Sequence, residues 1–314
     1  MTDPGEVHVP VVAEEVARLL GGGRSGPELR GWIVDATLGA GGHSALLLGR
    51  LPEIRVLGSD QDDSILALAG GRLGPFHDRV RLVRRRISEL GPEVAALDSR
   101  PVGWLMDVGA SSLQLDEAER GFSFQWDGPL DMRMDRRRER TAADIVNGWP
   151  EEELADLFFH EGGERASRRL ARAIVEARRR VPFRRTRALA DLIAREQGHG
   201  GPIHPATRVF QALRRAVNDE DSELRAGLAL AEEHLADGGV LCVISFHSGE
   251  DAVVKRFLAE GSRAGRFDLL TRTPLEATAE EVRSNPRARS AKVRAAVRTR
   301  PLPNPAPSPL ETQP

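Results

Sequence analysis

The sequence predicts an α/β fold in which a Rossmann-like, mostly parallel sheet is interrupted by a helical insertion. Strand and helix patterns alternate through about the first 110 residues, which is typical of parallel βαβ units. Strand patterns then disappear for roughly 100 residues, and an apolar strand pattern returns at Gly239–Phe246. A sheet that stops and resumes in this way indicates that a helical domain is inserted into the α/β domain.

Each predicted strand is a short apolar run bounded by turn residues. The runs are Trp32–Ala36, Arg55–Ser59, Val80–Val83, Val102–Val108, Gly239–Phe246, Phe267–Thr271 and Ala291–Val297. The last two are expected to form a closing hairpin. The predicted domains are therefore a discontinuous α/β domain at 1–115 and 218–300, an inserted helical domain at 116–217, and a proline-rich, disordered tail at 301–314.

Composition limits the classes of protein that the chain can belong to. The 314 residues are 40% hydrophobic and 29% charged, an ordinary balance for a globular protein. No run of 18 apolar residues and no secretory signal is visible, so we expect a cytoplasmic protein without a membrane partner. The single cysteine, Cys242, excludes a disulfide framework and a cysteine-based zinc site, and no metal is expected. With a net charge of −2, any affinity for nucleic acid must come from local clusters of basic residues.

The first predicted strand runs directly into a glycine-rich turn, Gly39-Ala40-Gly41-Gly42. Glycine allows a ligand to lie against bare backbone, because it has no Cβ and accepts positive φ. The second strand ends at Asp60, where a Rossmann-like sheet holds a ribose by its hydroxyl groups. The pair of features predicts a site for a nucleoside-containing cofactor. The alternative is a purely structural turn, because a glycine-rich turn alone is a weak signal.

The spacing of the glycines narrows the choice of cofactor. The dinucleotide fingerprint needs a third glycine at position 44, which is Ser44 here, and no Gly-Lys-Ser/Thr follows as in a P-loop. A cofactor without phosphate therefore fits better than a dinucleotide. S-adenosylmethionine is the predicted cofactor.

Arginines are concentrated in one part of the predicted insertion, with Glu176 as the only nearby acidic residue in that stretch. They are Arg165, Arg168, Arg169, Arg172, Arg178, Arg179, Arg180, Arg184, Arg185 and Arg187. Apolar residues recur between them at helical spacing, so one face packs and the other carries charge. Arg208, Arg214 and Arg215 extend the patch from a helix that begins near His204-Pro205. The excess of one sign favours contact with nucleic-acid phosphates over a merely solvated helix face.

Long motifs along most of the chain resemble one family. They are Asp35-Ala-Thr-Leu-Gly-Ala-Gly-Gly-His-Ser44, Asp60-Gln61-Asp62, Asp107-Val-Gly-Ala-Ser-Ser-Leu-Gln-Leu-Asp116, Arg120-Gly-Phe-Ser-Phe124, Asp127-Gly-Pro-Leu-Asp-Met-Arg-Met-Asp135, His204-Pro-Ala-Thr-Arg208, Ile244-Ser-Phe-His-Ser248 and Asn285-Pro-Arg-Ala-Arg-Ser290. In this order, the motifs resemble the bacterial ribosomal RNA small subunit methyltransferase H family, also called MraW. The resemblance covers about His8 to Arg298.

The resemblance implies a class I S-adenosylmethionine-dependent methyltransferase fold and a substrate. Members of the family methylate N4 of one cytidine, position 1402, in the decoding region of 16S rRNA. The implied partner is therefore 16S rRNA or the small ribosomal subunit; the oligomeric state is left open. The family's cofactor contacts fall on Gly41, Gly42, His43, Asp60, Ile87, Asp107 and Gln114. Capping of a helix by His43 or Ser44 is the structural alternative for His43.

The chain departs from the family pattern at several positions. Ile87 replaces an aromatic residue expected to flank the adenine, and Glu161-Gly162-Gly163-Glu164 replaces Tyr-Gly-Glu-Glu. Asp221 and Gly249 replace leucines. Two alternative functions follow: a degenerate member that binds RNA without efficient catalysis, and a methyltransferase of the same fold that acts on another substrate.

Two residues are candidates for direct roles in catalysis. Asp107 ends a predicted strand beside the cofactor and is the first candidate to orient an amine, although it could contact only the cofactor. His247 follows strand Gly239–Phe246 and is a tentative general base or base-edge contact, with a structural role as the alternative. Further groups are expected near a target base: Ser111 and Ser112, which follow Asp107 on its loop, and the alternating residues Asp131, Arg133 and Asp135.

Overall fold

The computed structural model describes residues 10–21, 29–198 and 203–299. Within these ranges the strands form one sheet. They are β1 (Gly31–Asp35), β2 (Ile54–Asp60), β3 (Val80–Arg84), β4 (Gly103–Asp107), β5 (Val240–Ser245), β6 (Phe267–Leu269), β7 (Leu275–Glu276) and β8 (Lys292–Arg298). The predicted tail at 301–314 lies outside the described residues.

The order of the strands is β3-β2-β1-β4-β5-β8-β6, and β7 pairs with β8. Strands β1 to β5 are parallel, whereas β8 runs antiparallel to β5, β6 and β7. The predicted Rossmann-like α/β fold class is confirmed. The predicted closing hairpin is present as the antiparallel pair β6 and β8. The predicted strand at Phe267–Thr271 is shorter than expected, and β7 was not predicted because two residues show no periodicity.

The chain divides into two compact units. The first comprises the described residues up to Asp60, Leu66–Val108 and those from Leu224 onward, and it contains the sheet. The central strands are buried on both faces, as expected for parallel strands covered by helices. The helices that lie wholly within this unit are α1 (Ala13–Leu20), α2 (Gly42–Arg50), α4 (Gly91–Ala95), α12 (Ser248–Arg263) and α13 (Ala279–Ser284).

The second unit comprises Gln61–Ile65 and Gly109–Glu223. Its helices are α5 (Ser112–Asp116), α6 (Ala142–Gly148), α7 (Glu151–His160), α8 (Ser167–Arg178), α9 (Thr186–Gln197) and α10 (Thr207–Asn218). Two more helices, α3 (Asp63–Leu73) and α11 (Glu220–His234), have residues in both ranges. Most buried side chains of α8 are apolar and recur at helical spacing, such as Leu170 and Ile174, whereas its arginines at 168, 169 and 172 are exposed. The second unit contains the whole of the predicted insertion, 116–217, and extends beyond it at both ends.

None of the helices in the described ranges is both long and apolar enough to cross a membrane.

Candidate active site

Acidic residues end three neighbouring strands at the carboxyl edge of the sheet. Asp35 ends β1, Asp60 ends β2 and Asp107 ends β4. These strands are parallel and adjacent, in the order β2-β1-β4. Their carboxyl ends therefore meet at one edge, which is where ligands bind in open α/β sheets.

The glycine-rich turn connects β1 to α2 and holds one of these carboxylates. The backbone N–H of Gly39 donates to Asp60 Oδ2 at 3.0 Å. Gly41 is the N-cap of α2 and adopts φ +77°, a left-handed conformation in which a side chain is strained. A Cβ at Gly41 would also lie 3.3 Å from the side chain of Leu73. The turn therefore requires glycine and brings Asp60 to the bare backbone.

His43 and Ser44 lie in the first turn of α2, and neither side chain caps the helix. The alternative of helix capping is therefore wrong for His43. Its ring is buried, and its Nε2 lies 3.8 Å from Asp107 Oδ2. Ser44 instead donates a hydrogen bond to Asp35 Oδ2 at 2.7 Å. Both residues thus turn towards the carboxylates at the ends of β1 and β4.

Asp107 has a carboxylate with an unused acceptor. Its backbone N–H donates to Thr37 Oγ1 at 2.5 Å, which fixes the end of β4 against the turn. The side chain is 28% exposed, yet the Oδ1 atom is buried and has no hydrogen-bond partner among the described residues. Buried acceptors are normally satisfied, so this oxygen is suited to accept from a bound ligand.

The surroundings of Asp107 favour its protonated form. Burial raises the pKa of the carboxyl to about 7, and the negative charges of Asp35 and Glu250 add to the effect. Burial also raises the pKa of Asp35 to about 6, although hydrogen bonds from the Ser44 hydroxyl and the Thr37 backbone oppose the shift. Asp107 therefore changes charge near neutral pH, where a group can exchange protons with a substrate efficiently.

His247 caps α12, which is the structural role given above as the alternative to its tentative catalytic one. Its Nδ1 accepts hydrogen bonds from the backbone N–H groups of Gly249 at 3.1 Å and Glu250 at 3.2 Å. In return, Glu250 Oε2 accepts from the backbone N–H of Phe246 at 2.9 Å. Its Nε2 lies 2.8 Å from Glu250 Oε1. His247 therefore has a structural role at the start of α12, and its chemical role stays a prediction.

Two other predicted cofactor contacts, Ile87 and Gln114, belong neither to the strand ends nor to the glycine-rich turn. Ile87 follows β3 in the first unit and is half-buried. A Cβ added to Gly227 would lie only 2.7 Å from Ile87 Cγ2, so the side chain packs against α11. Gln114 belongs to the second unit and is buried at 3% exposure. Its amide donates to Asp62 Oδ2 at 2.9 Å and accepts from the Ser111 backbone N–H at 3.0 Å.

The loop groups expected near a target base are held by local bonds in the second unit. Asp131 receives two hydrogen bonds of 2.7 Å from the Arg133 guanidinium, and this bonding lowers the pKa of Asp131 against the opposing effect of burial. Asp135 pairs with Arg137 at 2.8 Å. Ser111 caps α5 through its hydroxyl group. These bonds give the loop a fixed conformation.

The predicted RNA-binding arginines fall into two groups in the second unit. Those with exposed side chains are Arg165, Arg168, Arg169, Arg172 and Arg208. Of these, Arg172 also contacts Glu151 at 3.5 Å. Arg214, in contrast, forms two hydrogen bonds of 2.7 and 2.8 Å with buried Glu220. Because Glu220 accepts two hydrogen bonds from the Arg214 guanidinium, Arg214 is less available to bind a phosphate than the exposed arginines are.

The residues of the first unit fit an S-adenosylmethionine molecule. Asp60 is a carboxylate at the position that binds ribose hydroxyls, and the adjacent turn presents backbone without side chains. Asp107 Oδ1 adds an unsatisfied acceptor at the same edge, suitable for an amino group. The site can therefore bind the adenosyl part of the cofactor and still offer an acceptor to a nucleophile.

Comparison with known proteins shows the family of the chain. A model of the MraW methylase family matches residues 5–299. The chain belongs to the MraW methylase family. Ribosomal RNA small subunit methyltransferase H of Methylobacterium sp. (strain 4-46) is 46% identical, over 98% of this chain and 94% of that protein. The enzyme of the same name from Nitrobacter winogradskyi is 48% identical, over 95% and 93%.

MraW methylases depend on S-adenosylmethionine, so the predicted cofactor is confirmed. Among solved structures, an rRNA methylase from Streptococcus thermophilus is similar, with a TM-score of 0.43 and 10% identity over 92% of this chain and 94% of that one.

The departures from the MraW pattern in the second unit are accommodated by local contacts. Glu161 forms an ion pair of 2.7 Å with Arg215, which is 9% exposed. Gly163 adopts φ +63°, a conformation that favours glycine. Asp221 lies in the first turn of α11, where a negative charge is favourable. These substitutions therefore have local structural explanations and do not by themselves indicate a damaged enzyme.

Proposed function

We propose that this chain transfers the methyl group of S-adenosylmethionine to N4 of cytidine 1402 in the decoding region of 16S rRNA. Family membership supports methyl transfer, and the ribosomal RNA in the relatives' names supports the substrate class. The single observation that carries the choice of an amine is the buried, unsatisfied acceptor Asp107 Oδ1. A carbon nucleophile has no hydrogen to donate to such an acceptor, whereas an exocyclic amine has two.

The difficulty of the reaction lies with the nucleophile. When bound, S-adenosylmethionine supplies a methyl group already activated by a sulfonium. Cytosine N4 is a weak nucleophile, because its lone pair is delocalised into the ring. A hydrogen bond from N4–H to Asp107 orients the amine and increases electron density on N4. Holding two reactants in line contributes several kcal/mol to catalysis.

Asp107 also has a chemical role as proton acceptor. Transfer of the methyl group from S-adenosylmethionine to N4 would leave S-adenosylhomocysteine and a positively charged N4. The methylated nitrogen then loses one proton, and the Asp107 carboxylate takes it. A pKa of about 7 suits this transfer, because a base works best when its pKa lies near the operating pH.

We assign recognition of the RNA to the inserted domain at 116–217 and methyl transfer to the domain at 1–115 and 218–300. Exposed arginines at 165, 168, 169, 172 and 208 support the assignment, since guanidinium groups bind phosphates well. Loop residues 131–135 are proposed to contact the target nucleotide. The protein is expected to act in the cytoplasm on 16S rRNA or the assembled small subunit.

Mass spectrometry of 16S rRNA from a strain lacking this gene tests the proposed function. We expect the loss of one N4-methylcytidine, restored by the wild-type gene and not by the Asp107→Ala variant. Purified protein should methylate small ribosomal subunits, and subunits with uridine at position 1402 should not accept the methyl group, because uridine has no N4 amine. An unchanged methylation map in the deletion strain would exclude this function.

The departures at Ile87 and Gly249 are the observations that favour the second candidate, a degenerate member that binds RNA without efficient catalysis. Ile87 is aliphatic and gives no aromatic stacking with adenine. Calorimetry with S-adenosylmethionine separates the candidates: micromolar binding that Asp60→Ala weakens about 10- to 100-fold supports an active enzyme. Methyl transfer to a protein or small molecule, but not to 16S rRNA, would instead indicate a different substrate.

A further inference from the structure

An exposed tryptophan stands on a rigid loop of the second unit. Residues 125–130, here called the platform loop, pair with residues 184–187 at the start of α9. Leu130 N–H donates to the Arg184 carbonyl at 3.0 Å, and Thr186 N–H donates to the Gly128 carbonyl at 2.9 Å. The Thr186 hydroxyl bonds the platform loop twice, to the Trp126 carbonyl and the Gly128 N–H. The backbone that carries Trp126 is therefore fixed.

The side chain of Trp126 is not used by this packing. The residue is 62% exposed, whereas the other tryptophans are buried or half-buried. Within the described ranges, no ring stacking or cation contact involves its indole. A large aromatic side chain exposed on an ordered backbone loses little entropy on binding, and such residues mark contact sites.

The platform loop and the segment paired with it together carry a positive net charge. Arg184, Arg185 and Arg187 are all exposed and lie on the segment paired with the platform loop. Asp127, the carboxylate of the platform loop, receives a hydrogen bond of 2.6 Å from Arg185 Nε and one of 3.2 Å from the Arg187 backbone N–H. The Arg185 hydrogen bond lowers the pKa of Asp127. The single negative charge of Asp127 is therefore paired locally, and the positive charges of the three arginines outnumber it.

We propose that Trp126 is a stacking platform for an unpaired base of the RNA substrate, with the adjacent arginines binding the flanking phosphates. Aromatic faces that stack bases within a positively charged surface are the general means by which proteins bind unpaired RNA. The inference rests on the proposed function, because it takes RNA as the substrate. A protein partner is disfavoured, since a contact centre for protein is usually depleted of uncompensated charge.

Binding of 16S rRNA to the full-length chain tests the proposal. The variants are Trp126→Ala, Trp126→Phe and, as a matched control, Phe159→Ala, which removes another aromatic that is 52% exposed in the same unit. Stacking of a base on an aromatic residue is worth enough that Trp126→Ala should weaken binding about tenfold. Trp126→Phe should retain most of the affinity, and Phe159→Ala should change it less than twofold. Equal midpoint temperatures of thermal unfolding for all variants establish that folding is intact.

Tryptophan fluorescence gives a second, direct readout. RNA should quench the emission of the wild-type protein, and the quenching should vanish in Trp126→Phe. Unchanged affinity of Trp126→Ala, or quenching that survives in Trp126→Phe, would overturn the platform. A result in which a protein, and not RNA, protects the Trp126 side chain would also overturn the platform.

Methyl transfer is measured on the same samples and separates the two proposals. Methylation without Trp126-dependent quenching contradicts the platform alone. Quenching without methylation contradicts the proposed function alone.

Discussion

The Asp62 carboxylate and the Arg120 guanidinium form an ion pair of 2.6 Å in which both side chains are only 2% exposed. The same guanidinium donates to the backbone carbonyls of Arg133 at 2.9 Å and Met134 at 3.2 Å. Gln114 donates to the carboxylate that Arg120 binds. The pair thus joins the segment Gln61–Ile65 to the loops of the second unit. Two charges removed from water depend on each other for solvation.

Removal of Arg120 should therefore be strongly destabilising. We expect Arg120→Met to lower the free energy of unfolding by about 3–5 kcal/mol, because Asp62 is left as a buried charge. Denaturant unfolding followed by circular dichroism measures the change. Arg18→Met is the control, since its pair with Glu15 is exposed and worth about 1 kcal/mol or less. Equal losses for the two variants would contradict the structural role of the pair.

Asp60 should determine affinity for the cofactor. Asp60→Ala removes the acceptor for Gly39 N–H and the carboxylate that is placed for ribose hydroxyls, and hydrogen bonds to a charged group are worth about 1.5–3 kcal/mol. Calorimetry with S-adenosylmethionine should show a Kd raised about 10- to 100-fold. Asp268→Ala, an exposed carboxylate on β6, is expected to bind normally. Normal binding by Asp60→Ala would refute this cofactor site.

Asp107 should govern turnover and its pH dependence. Its pKa of about 7 is above the ordinary value of 3.8, so the carboxylate form that accepts protons increases as pH rises through 7. We expect kcat/KM to rise with pH to a plateau with an inflection near 7. Asp107→Asn should lose about 10²- to 10⁴-fold in kcat and show no such inflection. Its affinity for S-adenosylmethionine should change less than its turnover; equal losses would indicate a purely cofactor-binding role.

Glu250 supplies an independent check on the origin of this pKa. Glu250→Gln removes a negative charge that raises the pKa of Asp107 but keeps an acceptor for the Phe246 N–H. The inflection in kcat/KM should move to lower pH, while the cap of α12 persists. An inflection that stays in place would assign it to another group.

The exposed arginines of α8 should control the salt dependence of RNA binding. Arg168→Gln combined with Arg169→Gln should weaken binding uniformly and reduce the slope of log K against log salt concentration by about one for each phosphate that is no longer bound. Arg214→Gln provides a contrast, because its guanidinium is paired with Glu220. A salt slope unchanged by the double substitution would remove α8 from the RNA-binding surface.

Most strands of the sheet are predictable from the sequence alone. Strands such as β3, expected at Val80–Val83 and found at Val80–Arg84, are apolar runs between turn residues, and that pattern is local. The positions of Asp60 and Asp107 follow from the same pattern, because both end strands. The family resemblance adds the expected substrate.

Interactions between distant segments are not predictable from the sequence. The pKa of Asp107 depends on Asp35 from β1 and Glu250 from α12, which meet only when the strand order is formed. The capping role of His247 was not predicted, because the direction of its Nδ1 depends on the first turn of α12. The spacing of His247 and Glu250 does contain a capping signal, but it is a weak one, since histidine is an unusual N-cap.

The position of β8 has a consequence for synthesis of the protein. Residues 292–298, which form β8, pair with both β5 and β6. This side of the sheet is therefore completed by a strand close to the end of the described residues. During translation, β5 is made some fifty residues earlier and remains an open edge until β8 leaves the ribosome. Residues 109–223, which form almost all of the second unit, are complete well before this. The helical unit can therefore fold first on the nascent chain, and the catalytic sheet must wait, exposed to chaperones and to aggregation, for its final strand.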